Sequence, residues 1–229
     1  MFVPDRSFFE RSSLDVAPEL LGAHLTHLTD EGPVTLRLTE VEAYLGDGTD
    51  PGSHAFRGKT RRNAVMFGPA GHVYTYFTYG MHTCANLVCS QEGEASGVLL
   101  RGAEVVLGEE LAAERRGRAV SHRDLARGPA RLTVASGIRL DENGSDVFAS
   151  PFSIELPDVP VAPFATGPRT GVSGPGGDEA LYPWRFWIPG DPTVSPYKRH
   201  PRALSGVQEA GARRPERPSV VDVQPADAT

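Results

Sequence analysis

The sequence predicts a β-rich α+β fold, on three observations. Strand-like segments with period-two alternation concentrate in the middle and toward the end of the chain. Helix-like segments sit at the start and around 110–137, and the 229 residues lie at the upper end of what one mixed domain occupies. One domain is expected over residues 1–201. From Arg202 onward the composition turns to Pro, Arg, Glu, Ala and Asp with scarcely any aliphatic residue, so 202–229 read as a disordered tail.

In chain order, SSLDVAPELLGAHLTHL (12–28) reads as a short helix, with Ser or Asp as cap and Leu20, Leu21 and Leu25 as its apolar stripe. GPVTLRLTEVEAYLG (32–46) alternates with period two and reads as a strand. VYTYFTYG and ANLVCS read as the arms of a hairpin around Gly80, and SGVLLRGAEVV as a further strand. EELAAERRGRAV and GPARLTVASGI look helical, with Gly128-Pro129 as punctuation between them. FSIEL and WRFWIPG read as strands joined by the Gly/Pro-rich loop ATGPRTGVSGPGGDEA.

Composition excludes several classes. No apolar run approaches the roughly 20 residues of a membrane span, and the N-terminus lacks a basic region followed by an apolar stretch, so a cytoplasmic protein is expected. Cys84 and Cys89 have neither zinc-site nor redox spacing and read as buried free thiols. The seven histidines show no ligand spacing, so no metal is expected. The net charge of −6 conceals a division along the chain. Residues 1–50 carry ten acids against three bases, whereas 51–91 carry no acid and four cations, Arg57, Lys59, Arg61 and Arg62.

Two segments carry chemistry. If the strand VTLRLTEVEAY is regular, Val34, Leu36 and Leu38 share a face with Glu40, Glu42 and Tyr44, so an apolar face runs into two carboxylates about 7 Å apart. Carboxylates so placed have raised pKa values and are general-base candidates. If instead the strand ends near Thr39 or a bulge flips its parity, both lie in solvent. The spacing also fits an inverting glycoside hydrolase, whose acids lie roughly 6.5–9.5 Å apart. In the hairpin, Tyr74 and Tyr76 point one way and Val73, Thr75, Phe77 and Tyr79 the other. Val73 and Phe77 suit the core, Tyr76 a cleft, and Tyr79 the hairpin tip, where an exposed ring beside an acid-free segment suits a base wedge. Tyr74 has no role beyond packing. Core tyrosines with satisfied hydroxyls are the plainer alternative for the pair. Taken singly, Arg101 reads as a strand-end arginine, Asn86 as a turn residue and His54 as a surface residue. TGPRTGVSGPGG lacks the Lys-Ser/Thr ending and the helix of a phosphate loop.

Taken together, TEVEAYLG, SHAFRGKTRRNAVMF, GHVYTYFTYGMHTCANLV and GVLLRGAEV resemble the alkyladenine (3-methyladenine) DNA glycosylases of the mammalian type, a family with bacterial members. The resemblance runs from about Leu20 to about Ser195. It implies an α+β domain around a curved antiparallel sheet with peripheral helices, like the C-terminal domain of formyltransferases. It implies Glu42 as the general base that activates water, Arg101 as the partner that holds that water, and Tyr44, His54 and Tyr76 as the walls around an extruded base. Asn86 is then the residue that obstructs the exocyclic amine of normal guanine, and Tyr79, with Met81 beside it, the group inserted into the duplex. Glu40 stands where the family tolerates variation and is not expected to be catalytic.

The resemblance implies double-stranded DNA with damaged purines as partner, a monomer without obligate protein partner or membrane, and no cofactor. Arg57, Lys59, Arg61 and Arg62 are expected to meet backbone phosphates. A lyase needs an amine nucleophile, and the only lysines, Lys59 and Lys198, lie in neither a strand-end nor an apolar context, so a monofunctional enzyme is expected. Two rivals remain. A non-catalytic nucleic-acid-binding protein on the same scaffold would release no base, and a carbohydrate hydrolase would need both Glu40 and Glu42.

Overall fold

The computed structural model describes residues 1–46, 48–78 and 80–204. Its first helix, α1 (Ser13–Glu19), is shorter than the sequence suggests. The Ser12 hydroxyl accepts from the Leu14 amide at 3.3 Å and starts the helix. Pro18 cannot donate to a further turn, and Gly22 turns the chain out at φ +80°. Leu20 and Leu21 are buried as expected, but Leu25 belongs to the next element, strand β1 (His24–Thr29).

Strand β2 (Gly32–Leu45) follows. A hairpin of β3 (Val73–Thr78) and β4 (His82–Cys89) turns through Gly80 at φ +66°, a value an L side chain adopts with strain. β5 (Ser96–Leu107) leads into α2 (Glu109–Arg116), and β6 (Ala126–Arg127) into α3 (Pro129–Ser136). Strands β7 (Phe152–Glu155), β8 (Ala165–Gly167) and β9 (Arg185–Trp187) complete one mostly antiparallel sheet. Its order is β3-β4-β5-β2-β1-β7, with β6 on β5, β9 on β2 and β8 on β9. β8 lies inside the stretch expected to be loop: three residues suffice because β9 supplies the ladder partners.

The decisive local feature is a bulge in β2. Its register against β5 shifts between Leu38 and Glu40 and again between Glu40 and Val41. Before the bulge Val34, Leu36 and Leu38 face the main core, and after it Val41 and Ala43 do. An extra residue in one strand flips the parity of everything beyond it. Glu40, Glu42 and Tyr44 therefore leave the core face, contrary to the expectation from a regular strand. They do not reach solvent either, since both glutamates are wholly buried under the segments that follow β8 and β9. The bulge also bends β2 from one neighbour to another: residues 32–37 pair with β1, and Glu40–Glu42 with β9.

The main core lies on the face covered by α1 and the α2–α3 region, where Val73, Ala85, Leu87, Val98 and Leu100 meet Val41 and Ala43. Each fully buried Leu or Val there contributes about 1.5–3 kcal/mol. Phe77 was expected in this core but is 45% exposed. The hairpin projects past the core beyond Thr75, whose hydroxyl donates to the Leu140 carbonyl at 3.0 Å. Cys84 and Cys89 are buried free thiols. At the C-terminal end, the Leu204 amide donates to the Gly174 carbonyl at 3.0 Å, and the remainder of the expected tail, 205–229, lies outside the described residues. Among the described residues no helix is long and apolar enough to cross a membrane.

Candidate base-binding cavity

Because side chains alternate, the register of four strands assembles one wall. Tyr74 pairs with Asn86, Asn86 with Leu99, and Leu99 with Glu42. These four residues form a row across β3, β4, β5 and β2 on the face opposite the core, and all four line one cavity of about 430 Å³. That volume falls in the roughly 300–1,000 Å³ range of small-molecule sites. Tyr76, Cys84 and Arg101 stand one alternation along the same strands, and Tyr44 follows Glu42. The segment containing Thr170, Gly171 and Val172 closes the cavity from the other side.

Glu42 is the one carboxylate on this wall among the described residues. Its Oε1 accepts from the Thr170 amide at 2.7 Å, its Oε2 from the Tyr44 phenol at 2.9 Å, and Arg101 Nε lies 3.4 Å from Oε1. Burial and the Glu42 charge push the Tyr44 phenol well above its ordinary pKa, so it stays protonated and donates. Burial alone would lower the Arg101 pKa, but Glu42 and Glu40 together hold it above the usual arginine value. Arg101 was expected at a strand end. It sits in the middle of β5, which continues to Leu107, and 8% exposure makes it a buried cation facing two acids.

At the β3 edge this wall is aromatic. Tyr74 and Tyr76 stack with centroids 5.6 Å apart, and the His54 ring meets Tyr76 edge-on at 4.5 Å. His54 is exposed at the rim, with its Nδ1 3.2 Å from the Tyr74 hydroxyl. Partial desolvation where the ring packs against Tyr76, and then the Arg62 charge, lower its pKa below the usual 6.5, which favours a neutral ring at pH 7. Tyr74 therefore does more than pack, since it fixes the His54 ring. Asn86 is no turn residue. It lies within β4, buried, with its Nδ2 donating to the Tyr74 carbonyl at 3.3 Å. The Cys84 thiol is pushed up to about 11, by burial above all, and stays neutral.

Behind the Tyr44 ring lies a buried ion pair that the sequence reading missed. The Arg169 guanidinium donates to Asp50 through Nη1 at 2.6 Å and Nη2 at 2.7 Å, and to the carbonyls of Ala43 and Gly176 at 3.0 and 2.9 Å. It also lies over the Tyr44 ring, 4.4 Å from the centroid. The loop around Asp50 and the segment around Thr170 meet backbone to backbone, for a Cβ on Gly176 would collide with the Gly52 nitrogen. Arg169 thus places both Tyr44 and its own neighbour Thr170 against Glu42. The signal was present in the sequence: Asp50 is the last acid before an acid-free stretch, and Arg169 interrupts a Gly-rich one. Arg185, which reaches Glu40, also went unremarked.

Of the DNA-facing candidates, Arg57, Lys59, Arg61 and Arg62 are exposed, and Arg62 Nη2 donates to the Phe77 carbonyl at 3.0 Å, tying this segment to the hairpin. Met81 at the hairpin turn is 69% exposed. Tyr79, the expected wedge, lies outside the described residues.

Stacked rings at the β3 edge, a single carboxylate on β2 and no second acid among the described lining residues define the class of site: a ring-lined cavity with one candidate base, unlike the two-acid site of a glycoside hydrolase. Residues 7–192 match the methylpurine-DNA glycosylase family, and the chain belongs to it. Similar relatives include proteins assigned as 3-methyladenine DNA glycosylases. One from Leifsonia xyli subsp. xyli is 64% identical over 202 residues, which cover 86% of this chain and 94% of the relative. Others come from Streptomyces avermitilis, 56% identical with 85% and 92% covered, and Nocardia farcinica, 51% identical with 82% and 88% covered.

Proposed function

We propose that this protein is a DNA-repair glycosylase that extrudes alkylated or deaminated purines from duplex DNA and hydrolyses the N-glycosidic bond, leaving an abasic site. The observation that carries the reading is Glu42: one buried carboxylate, oriented by Tyr44 and Thr170, facing a ring-walled cavity beside Arg101.

The chemistry follows from these contacts. A base within a duplex is inaccessible, so it must be flipped out, at a cost that is least for damaged or mispaired bases. Met81 at the hairpin turn, together with Tyr79, the wedge that the resemblance implies, fills the vacated space, while Arg57, Lys59, Arg61 and Arg62 neutralise phosphates on either side. Tyr44, His54 and Tyr76 stack the flipped purine, and electron-rich rings favour the cationic 3-methyladenine and 7-methylguanine. Asn86 stands where a normal guanine amine would enter. Each oxygen of Glu42 has one donor already, so an unfilled lone pair remains to take a proton from water. Arg101 uses Nε on Glu40, and neither terminal nitrogen has a protein hydrogen-bond partner among the described residues, which leaves them for that water. As the glycosidic bond to C1′ breaks, the water oxygen bonds to C1′, its proton passes to Glu42, and the base leaves with the bonding pair.

Glu40 does not line the cavity, and four donors occupy its oxygens, which weighs against a two-acid carbohydrate hydrolase. Lys59 and Lys198 are exposed and away from the cavity wall, so among the described residues no lysine amine lines the cavity. The enzyme is on this reading monofunctional, needs no cofactor or metal, and works as a cytoplasmic monomer on DNA.

Duplexes carrying 3-methyladenine, 7-methylguanine, hypoxanthine or ethenoadenine singly, incubated with excess enzyme, are expected to release free base in a single turnover, the cationic purines fastest. Failure to release any of the four would sink the reading. Borohydride added during turnover is expected to trap no protein–DNA adduct, and a trapped Schiff base would overturn the monofunctional assignment.

A further inference from the structure

We propose that Glu40 is a positioning residue for base release: its carboxylate holds the Arg101 guanidinium by Nε and so keeps the looser Arg101–Glu42 ion pair from tightening into a hydrogen bond. The inference rests on the reading of Glu42 as the base. Two carboxylates here compete for one donor. Arg101 Nε lies 2.9 Å from Glu40 Oε1, a hydrogen-bonded ion pair, and 3.4 Å from Glu42 Oε1, an ion pair without the hydrogen bond. Charge-assisted bonds strengthen as they shorten, so the nearer acid sets where the guanidinium rests.

Glu40 is built for that role. It is wholly buried and accepts from Arg185 Nε at 2.5 Å, from the Ser195 amide at 2.6 Å and from the Ser195 hydroxyl at 3.0 Å, besides Arg101. The β2 bulge aims it at this cluster, and its cross-strand partner is Gly102, where an added Cβ would press on the carboxylate at 3.0 Å. With three bonds to the surroundings and one to Arg101, Glu40 is a fixed anchor that cannot follow the arginine. Remove its charge, and Arg101 has one anionic neighbour left within reach, Glu42. A carboxylate in a hydrogen-bonded ion pair takes a proton less readily, so the attacking water loses its base.

The bland reading is a buried ion cluster that only stabilises the fold. Glu40→Gln and Arg185→Met separate the two. Arg185→Met removes the cluster's other cation but leaves the Arg101–Glu40 bond in place. Single-turnover release is measured on a 7-methylguanine duplex, below the melting temperature of each variant. The other titratable or charged groups near Glu42, namely Tyr44, Tyr76, Cys84, Arg169 and Tyr197, are the same in both variants.

Glu40→Gln is expected to slow the release step roughly tenfold or more with lesion-DNA affinity retained. Arg185→Met is expected to lose stability and to slow release much less, because both Ser195 bonds still anchor Glu40. A Glu40→Gln release rate identical to wild type overturns the inference, as does slowing of both variants to the same extent. Glu40→Asp, which keeps the charge but retracts it by one methylene, supplies the same comparison if the glutamine variant does not fold, with an intermediate loss expected. If wild type itself releases no base, the reading of Glu42 has failed and not this inference alone.

Discussion

Glu42→Gln is expected to reduce base release by about 10²–10⁴-fold while leaving binding of lesion DNA intact. The amide keeps the shape of the side chain. Its oxygen still accepts from the Thr170 amide, and its NH₂ faces the Tyr44 hydroxyl, which turns from donor to acceptor without moving. Arg101 keeps Glu40 as its anion, so the variant does not strand a buried cation. What disappears is proton affinity at one position. Single-turnover release and fluorescence anisotropy on the same duplex separate the two effects. Wild-type release by the variant would remove Glu42 from the mechanism, whereas lost binding would make it a structural residue.

The strands and their faces were legible because alternation is a local property. Val73, Tyr74 and Tyr76 take the sides the hairpin pattern gives them. Phe77 does not, because parity says which way a residue points and not how far the core extends beneath it. β2 fails differently. Alternation through Leu38 is correct, and one inserted residue at the bulge sends Glu40, Glu42 and Tyr44 to the opposite face. Nothing in TLRLTEVEAY marks that insertion, since Thr, Glu and Val all suit a regular strand. The bulge supplies what regular pairing could not, a carboxylate on the cavity face of a strand whose other half is anchored in the core.

The long-range contacts were the least legible. Arg101 and Asn86 looked unremarkable because their partners, Glu40 and the Tyr74 carbonyl, are 61 and 12 residues away. Thr170 reaches Glu42 across 128 residues through its backbone amide, a donor every residue but proline carries, so its identity gave no clue. Parity turned Tyr76 toward a cleft, whereas a role for His54 came from the resemblance alone, and the structure brings the two rings together. Asp50 and Arg169 lay in segments read as loop. A Gly-rich loop reads as flexible, yet here glycine at 52 and 176 is what lets two backbones touch and lock a buried cation in place.

That lock gives the largest expected change in stability. Asp50→Ala leaves Arg169, 1% exposed, without its counter-ion. Burial pulls the Arg169 pKa down and the Asp50 bonds pull it up, but a guanidinium's ordinary pKa lies so far above neutrality that Arg169 stays charged after its partner has gone. Breaking such a pair by removing one member costs about 3–5 kcal/mol, and at roughly 2–4 °C per kcal/mol for a domain of this size the melting temperature falls by about 6–20 °C. Release should fall too, because Arg169 supports the Tyr44 ring and precedes Thr170, the two groups that orient Glu42. Asp50→Ala combined with Arg169→Met removes the stranded charge and is expected to recover part of the loss. Recovery stays partial because the Ala43 and Gly176 carbonyls lose their donor, each worth about 1–3 kcal/mol when buried. Thermal melts of the two single variants and the double variant decide it. A double variant no more stable than Asp50→Ala would mean that the guanidinium's other bonds, and not its pairing with Asp50, hold the cavity floor together.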